Sequence, residues 1–102
     1  MDRLQTGDFV QHLKRGDRGT SDTKYCYKII DMCAIHTETN EALVIYQALY
    51  DNKLVFARPR KDFLGEVDII KYPDVTQKYR FEKITDENLL HKLKAIDICE
   101  SI

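Results

Sequence analysis

The stretch that decides the fold is ALVIYQALY, residues 42–50. In an extended chain successive side chains point to opposite faces, and here both faces are apolar. A strand of this kind is typical of a central position in a sheet, or of a sheet that curls into a small barrel. One face would carry Leu43, Ile45 and Leu49, and the other Val44, Tyr46, Ala48 and Tyr50.

A tight hairpin is predicted directly after this strand. Asp51 and Asn52 both tolerate the positive φ that such turns require, and the mostly apolar residues 54–57 follow them. We therefore expect a returning strand at 54–57. Pro59 limits its hydrogen-bonded ladder, because proline has no N–H to donate.

Four further segments have the composition of strands, separated by polar turns. Residues 25–35 are rich in tyrosine, isoleucine and cysteine, and residues 8–14 alternate in polarity. Residues 67–70 and 79–84 are shorter, and residues 15–24 form a polar loop. Strands joined by short turns predict an antiparallel meander of five to six strands that curls into a small barrel or half-barrel.

The pattern changes from strand to helix after residue 84. Thr85 is a predicted N-cap, and Asp86 and Glu87 follow where the helix dipole favours acidic residues. We expect a C-terminal helix over 85–100, which places the mainly β fold in the α+β class. Its apolar stripe would either cover the open end of the barrel or bind a partner, including a second copy in a homodimer. The stripe consists of Leu89, Leu90, Leu93 and Ile96.

Composition and charge narrow the function. A chain of 102 residues has the size of a single domain, 1–102, and 16 basic against 17 acidic residues give a net charge of -1. That balance argues against duplex DNA and membranes as partners. An odd count of three cysteines and no secretory signal predict a cytoplasmic protein. Scattered glycines and the lack of metal-ligand spacing predict no cofactor and no metal.

Two sequence features could carry a site. His36 lies between a predicted strand and a polar turn, where it could bind a ligand or exchange protons, or merely cap the strand. A basic cluster follows the hairpin, and arginine beside aromatic residues suits phosphates, carboxylates or stacked bases. Its alternative is a solvated surface loop. The residues of this cluster are Lys53, Phe56, Arg58, Arg60 and Lys61.

Several segments together resemble a small bacterial family catalogued as the domain of unknown function DUF1653. The resemblance covers residues 7–84, so that the C-terminal helix looks like an addition to the family core. Gln47 stands where the family commonly has arginine, and Asp51 where it commonly has glycine. The segments are HLK at 12–14, YKII at 27–30, AIHTET at 34–39, LVIYQALY at 43–50, FARP at 56–59, FLGEV at 63–67 and RFE at 80–82.

The resemblance implies a compact SH3-like barrel without an assigned activity. Its recurring polar and aromatic positions correspond to a set of candidate ligand-binding residues. These are His36, Glu38, Tyr46, Tyr50, Arg58 and Glu66.

Three functional hypotheses follow. The first is a recognition module that binds a peptide, a protein or a small anionic ligand in a groove of Tyr46, Arg58 and His36. The second is a single-stranded nucleic-acid-binding domain that uses the basic cluster. The third is a small enzyme with His36 as acid or base and Glu66 or Glu38 as its partner.

Overall fold

The computed structural model describes residues 3–16 and 18–98. They form a five-stranded antiparallel open sheet in the order β4-β3-β2-β1-β5, with a C-terminal helix. The α+β class, the antiparallel pairing and the helix are as predicted. The strands are β1 (Phe9–His12), β2 (Cys26–Ile35), β3 (Ala42–Ala48), β4 (Val55–Pro59) and β5 (Phe81–Lys83), and the helices are α1 (Arg60–Phe63) and α2 (Glu87–Ile98).

The strand that decides the fold is confirmed as β3. It lies between β2 and β4, and one of its faces is fully buried through Val44, Tyr46 and Ala48. The hairpin after it is also confirmed. Asp51 has φ 50° and Lys53 has φ 53°, and the Lys53 N–H donates to the Tyr50 carbonyl at 3.0 Å.

The strand predicted at 67–70 is wrong. Residue 66 makes an isolated bridge to residue 79, and the chain then turns, leaving Ile69 and Ile70 exposed. The reason is Asp68, whose Oδ1 accepts hydrogen bonds from the N–H groups of Ile70 (3.0 Å) and Lys71 (3.3 Å). A side chain that binds nearby backbone in this way offers it an alternative to a strand ladder.

Side-chain caps also move two predicted boundaries. The first strand ends at His12, because His12 Nδ1 accepts the Lys14 N–H and starts a 3-10 helix at Leu13–Arg15. Helix α2 begins at Glu87, later than the predicted residue 85. The reason is that the side chain of Asp86, and not that of Thr85, accepts the Leu89 N–H at 3.0 Å. The last strand is also shorter than the predicted 79–84. The predicted residues 99 and 100 of the helix lie outside the described residues.

Each face of the sheet has its own apolar cluster. On one face, the rings of Phe63 and Phe81 stack in parallel with centroids 4.1 Å apart. On the other face, α2 buries Leu89 and Leu93 against the sheet. Two residues of the predicted stripe, Leu89 and Leu93, are therefore covered within the chain, and Leu90 and Ile96 are partly buried against the same cluster. The first cluster comprises Leu4, Val10, Tyr27, Ile29, Met32, Val44, Tyr46, Ala48, Phe63 and Phe81, and the second Cys26, Leu49, Ile84, Leu89 and Leu93.

Neither α1 nor α2 has the length and apolarity that crossing a membrane requires, and the same holds for every helix in the described part of the chain.

Arg15 holds the polar loop that connects β1 to β2. Its side chain is buried, and its guanidinium donates to the carbonyls of Asp22 (2.6 Å), Lys24 (2.9 Å) and Gly19 (2.9 Å). Three charge-assisted hydrogen bonds thus replace the water that this cation loses on burial.

We predict that Arg15→Ala lowers the free energy of unfolding by about 2–4 kcal/mol, because it leaves three loop carbonyls without their donor. The matched control is Arg18→Ala, which removes an exposed ion pair to Asp22 and a cation–π contact 5.5 Å from the centroid of the Tyr25 ring, and should cost about 1 kcal/mol or less. Urea unfolding of both variants measures the difference. Equal losses in the two variants would contradict the assigned role.

Candidate functional site

A basic pocket opens at one rim of the aromatic cluster. It has a volume of about 330 Å³, and its walls come from four separate parts of the chain: the end of β1, β4, the connection from α1 to β5, and the residue before β5. Its cationic and imidazole side chains define the basic pocket below. They are His12, Lys14, Arg58, Lys71 and Arg80, and Leu13, Asp68 and Tyr72 complete the lining.

Arg58 reaches the pocket across the concave face of the sheet. It pairs with Val44, which is fully buried, so both side chains point to the same face. The guanidinium carbon lies 5.4 Å from the centroid of the Phe81 ring. Because β4 and β5 are the two outer strands, this contact brings together side chains from opposite edges of the open sheet.

His12 forms the floor of the pocket. It pairs with Phe81 across β1 and β5, and the two rings meet edge to face at 4.9 Å. Its Nδ1 accepts the Lys14 N–H at 3.1 Å, so a neutral ring carries its proton on Nε2 and is a donor there. Burial, and then the charges of Arg58, Lys14 and Arg80, lower the pKa of His12 to about 4.

Positive charge in the pocket exceeds negative charge. Arg80 lies 3.7 Å from the Asp62 carboxylate and also donates to the Asp62 carbonyl at 3.2 Å. Asp68 uses its Oδ1 to hold the adjoining turn. Lys14, Arg58 and Lys71 make no ion pair with any residue in 3–16 or 18–98. Four cations against one lining carboxylate, in a chain of net charge -1, make an anion the complementary ligand.

Tyr46 and Tyr50, two of the predicted ligand-binding residues, belong mainly to the core. The Tyr46 ring is buried between Phe63 at 5.1 Å and Phe81 at 5.4 Å. The hydroxyl groups of Tyr50 and Tyr27 are hydrogen bonded at 2.5 Å, and burial raises the pKa of both.

His36, Glu38 and Glu66 lie elsewhere than Arg58. His36 caps the β2–β3 turn, where its Nδ1 accepts the N–H groups of Glu38 (3.1 Å) and Thr39 (3.4 Å). Glu66 is exposed and lies 3.6 Å from Lys78. The structure therefore does not gather His36, Tyr46 and Arg58 into one groove: His36 and Tyr46 do not line the pocket that Arg58 lines. Within the described residues no carboxylate hydrogen bonds to His36, as an acid–base pair would require.

The basic cluster that follows the hairpin is divided among several places. Lys53 donates to the Ile96 carbonyl of α2 at 2.9 Å, and Phe56 packs on Tyr46 at 5.6 Å. Arg60 and Lys61 begin α1 and line a different, shallow cavity. Of the cluster, Arg58 alone lines the basic pocket.

Seven of the eight residues that line the pocket were not predicted from the sequence. They are His12, Leu13, Lys14, Asp68, Lys71, Tyr72 and Arg80. A usable signal existed, because HLK at 12–14 and RFE at 80–82 are both segments that carry the family resemblance. Their meeting depends on pairing between β1 and β5, which are distant in sequence.

Within residues 3–16 and 18–98, no group of three or more histidine, cysteine or carboxylate side chains could hold a metal ion.

Fold and pocket define a small α+β protein with a cationic pocket on its curved sheet. The chain belongs to the family described as "Protein of unknown function (DUF1653)", whose model matches residues 9–83. That range contains all five strands and the whole basic pocket, and it leaves out α2. No curated protein and no solved structure matches the chain.

The neutral state of His12 predicts a specific loss of stability in acid. Because its folded pKa of about 4 lies below the ordinary 6.5, the unfolded state binds more protons between these values, and stability falls as pH falls. The contribution is about 1–3 kcal/mol after allowance for partial exposure of the ring. Urea unfolding of wild type and His12→Gln at pH 7 and pH 4 measures it, with His91→Gln on the exposed side of α2 as control.

We expect the stability of His12→Gln, relative to wild type, to rise by that amount between neutral and acidic pH. A constant difference between the two proteins across this range would contradict a depressed pKa at His12.

Proposed function

We propose that this protein is a recognition module that binds a small anionic ligand, a phosphate or carboxylate group, in the basic pocket. The observation that carries the proposal is the convergence of Arg58, Arg80, Lys71 and Lys14 on a cavity of about 330 Å³, with only Asp68 as a lining carboxylate. Such a set attracts an anion by charge and binds it through several N–H donors at once.

Each residue has a distinct part in this proposal. Arg58 supplies a planar fork of donors whose position is fixed by β4 and by the Phe81 ring. Arg80 is oriented by Asp62, and Lys71 and Lys14 add mobile point charges at the rim. The neutral His12 ring donates through its Nε2–H. An anion bound beside the ring would raise the pKa of His12.

The contacts of Arg58 also support a finer description of the fold. We propose that the open sheet is a half-barrel of the SH3-like kind, because β4 and β5 approach across the concave face without pairing. We further propose that residues 1–102 form a single domain and that it works in the cytoplasm, where the free thiols of Cys26 and Cys33 stay reduced.

Binding of inorganic phosphate tests the proposal directly. Isothermal calorimetry at low salt should detect binding to wild type, and Arg58→Ala should weaken it by at least ~10-fold through loss of a bidentate donor. Lys94→Ala, which removes an exposed charge of α2, should leave it within about 2-fold. Added sodium chloride should weaken binding, because rim charges are screened.

Two results would contradict this proposal. One is the absence of binding to phosphate, citrate and a nucleoside monophosphate at concentrations up to about 10 mM. The other is binding that Arg58→Ala and Lys94→Ala reduce equally, which would indicate a general charge effect. A short oligothymidylate that binds far more tightly than these small anions would favour the nucleic-acid hypothesis instead.

A further inference from the structure

The outer edge of β4 is open along its apolar centre. β4 ends the sheet order, and Val55, Phe56 and Ala57 are all exposed. Natural sheets blunt such edges with charge, proline or brevity, and here only the C-terminal end, at Arg58 and Pro59, is blunted in that way. Three consecutive exposed apolar residues on an edge strand are a template for pairing with another strand.

The hydrogen-bond register shows which backbone groups of β4 are open. The Ala48 N–H donates to the Leu54 carbonyl at 2.9 Å, so these two residues form a hydrogen-bonded pair with β3. Bonded and non-bonded pairs alternate in antiparallel sheets, so Phe56 and Arg58 also bond to β3, while Val55 and Ala57 point their N–H and C=O groups outward. Pro59 falls on an outward position too, where its missing N–H costs nothing to the sheet.

A cavity of about 250 Å³ opens beside the same edge. Its walls include the exposed side chains of Leu54 and Phe56, together with Tyr50 and Ala48. An apolar side chain of an added strand would fill this cavity. The cavity would then select the side chains of a strand that is otherwise bound through its backbone.

Charge around the edge selects the chemistry of the partner. At the C-terminal end of this edge, Arg58 and Lys61 make no ion pair with any residue in 3–16 or 18–98. A second copy of this chain would bring the same positive charge to the contact. An extended segment that carries carboxylates would bring the opposite charge.

We propose that the β4 edge, Leu54 to Pro59, binds an extended acidic peptide of another protein by β-strand addition. On one face of the peptide, an apolar side chain fills the cavity beside Leu54 and Phe56, and a carboxylate two residues further along lies near Arg58, whose side chain points to the same face. The peptide backbone bonds to the N–H and C=O groups of Val55 and Ala57. This site shares Arg58 with the basic pocket and is otherwise formed by different residues.

The test uses a fluorescein-labelled peptide of about eight residues that carries, on one face, valine and then glutamate two residues further along. The charge control has lysine in place of that glutamate. Fluorescence anisotropy should give binding in the range of about 10–500 μM for the acidic peptide and at least ~10-fold weaker binding for the control. In amide NMR spectra of the full chain, the N–H groups of Val55 and Ala57 should shift and gain protection from exchange.

Variants separate the edge from the pocket. Ala57→Pro removes an outward N–H that β3 does not use and should weaken the peptide by at least ~10-fold, whereas Ala57→Val keeps the N–H and should stay within about 2-fold. Arg80→Ala should also leave peptide binding within about 2-fold, although it weakens phosphate. If Ala57→Pro does not fold, two N-methylated peptides replace it. Each is methylated at alternate residues, so that the N–H groups on one edge of the peptide strand are removed, and one of the two should not bind.

Three results would overturn the proposal. The first is no binding of the acidic peptide up to about 1 mM. The second is binding that shifts His12 and Arg80 but not Val55 and Ala57, which would assign the peptide to the basic pocket. The third is concentration-dependent protection of Val55 and Ala57 without peptide, together with a dimer in sedimentation, which would make a second copy the occupant.

Discussion

The parallel stack of Phe81 on Phe63 is the contact on which the curvature of this sheet depends. Phe81 belongs to an outer strand of three residues, and Phe63 lies in the short helix that follows the strand at the other edge. Both rings are essentially inaccessible to solvent, and Tyr46 of β3 packs against each of them. An open sheet whose two edges share one buried cluster has to curl, because each ring gains its packing only when both edges face the same core.

The basic pocket is a consequence of that packing. Arg58 of β4 and His12 of β1 both contact the Phe81 ring, and Arg80 comes just before it in sequence. Like charges repel, so the approach of these cations is unfavourable by itself. Burial of the ring first, and the charges of Arg58, Lys14 and Arg80 second, lower the pKa of His12. Packing of the apolar cluster offsets this repulsion. A bound anion would neutralise the positive charge of the pocket.

Much of the fold could be predicted from residue patterns, because β3 and its hairpin depend on local information. The alternation of side chains along 42–50 predicted which residues of β3 share a face, and Asp51 has the positive φ that the turn requires. The predictions failed where a side chain competes with backbone pairing: Asp68 turns the chain where a strand was expected, and Asp86 caps the helix instead of Thr85. Neither choice is visible in hydrophobic periodicity.

The site was harder to predict than the fold. Arg58 belongs both to the predicted basic cluster and to the basic pocket, but its neighbours in the pocket are set by pairing between β1 and β5, which are about seventy residues apart. Tyr46 and Tyr50 have the residue type of a binding site, yet their burial gives them a packing role. His36 was expected to share a groove with Arg58, and it binds backbone N–H groups of its own turn instead.

The most direct test of this account is the titration of the His12 ring by NMR, with and without phosphate. We expect a pKa of about 4 for His12 in the free protein, and a rise of about 1–2 pH units when phosphate binds beside it. The same rise should be absent in Arg58→Ala, because the anion is then held weakly. A pKa near 6.5 that does not respond to phosphate would contradict the claim that the curled sheet builds an anion-binding pocket around a neutral histidine.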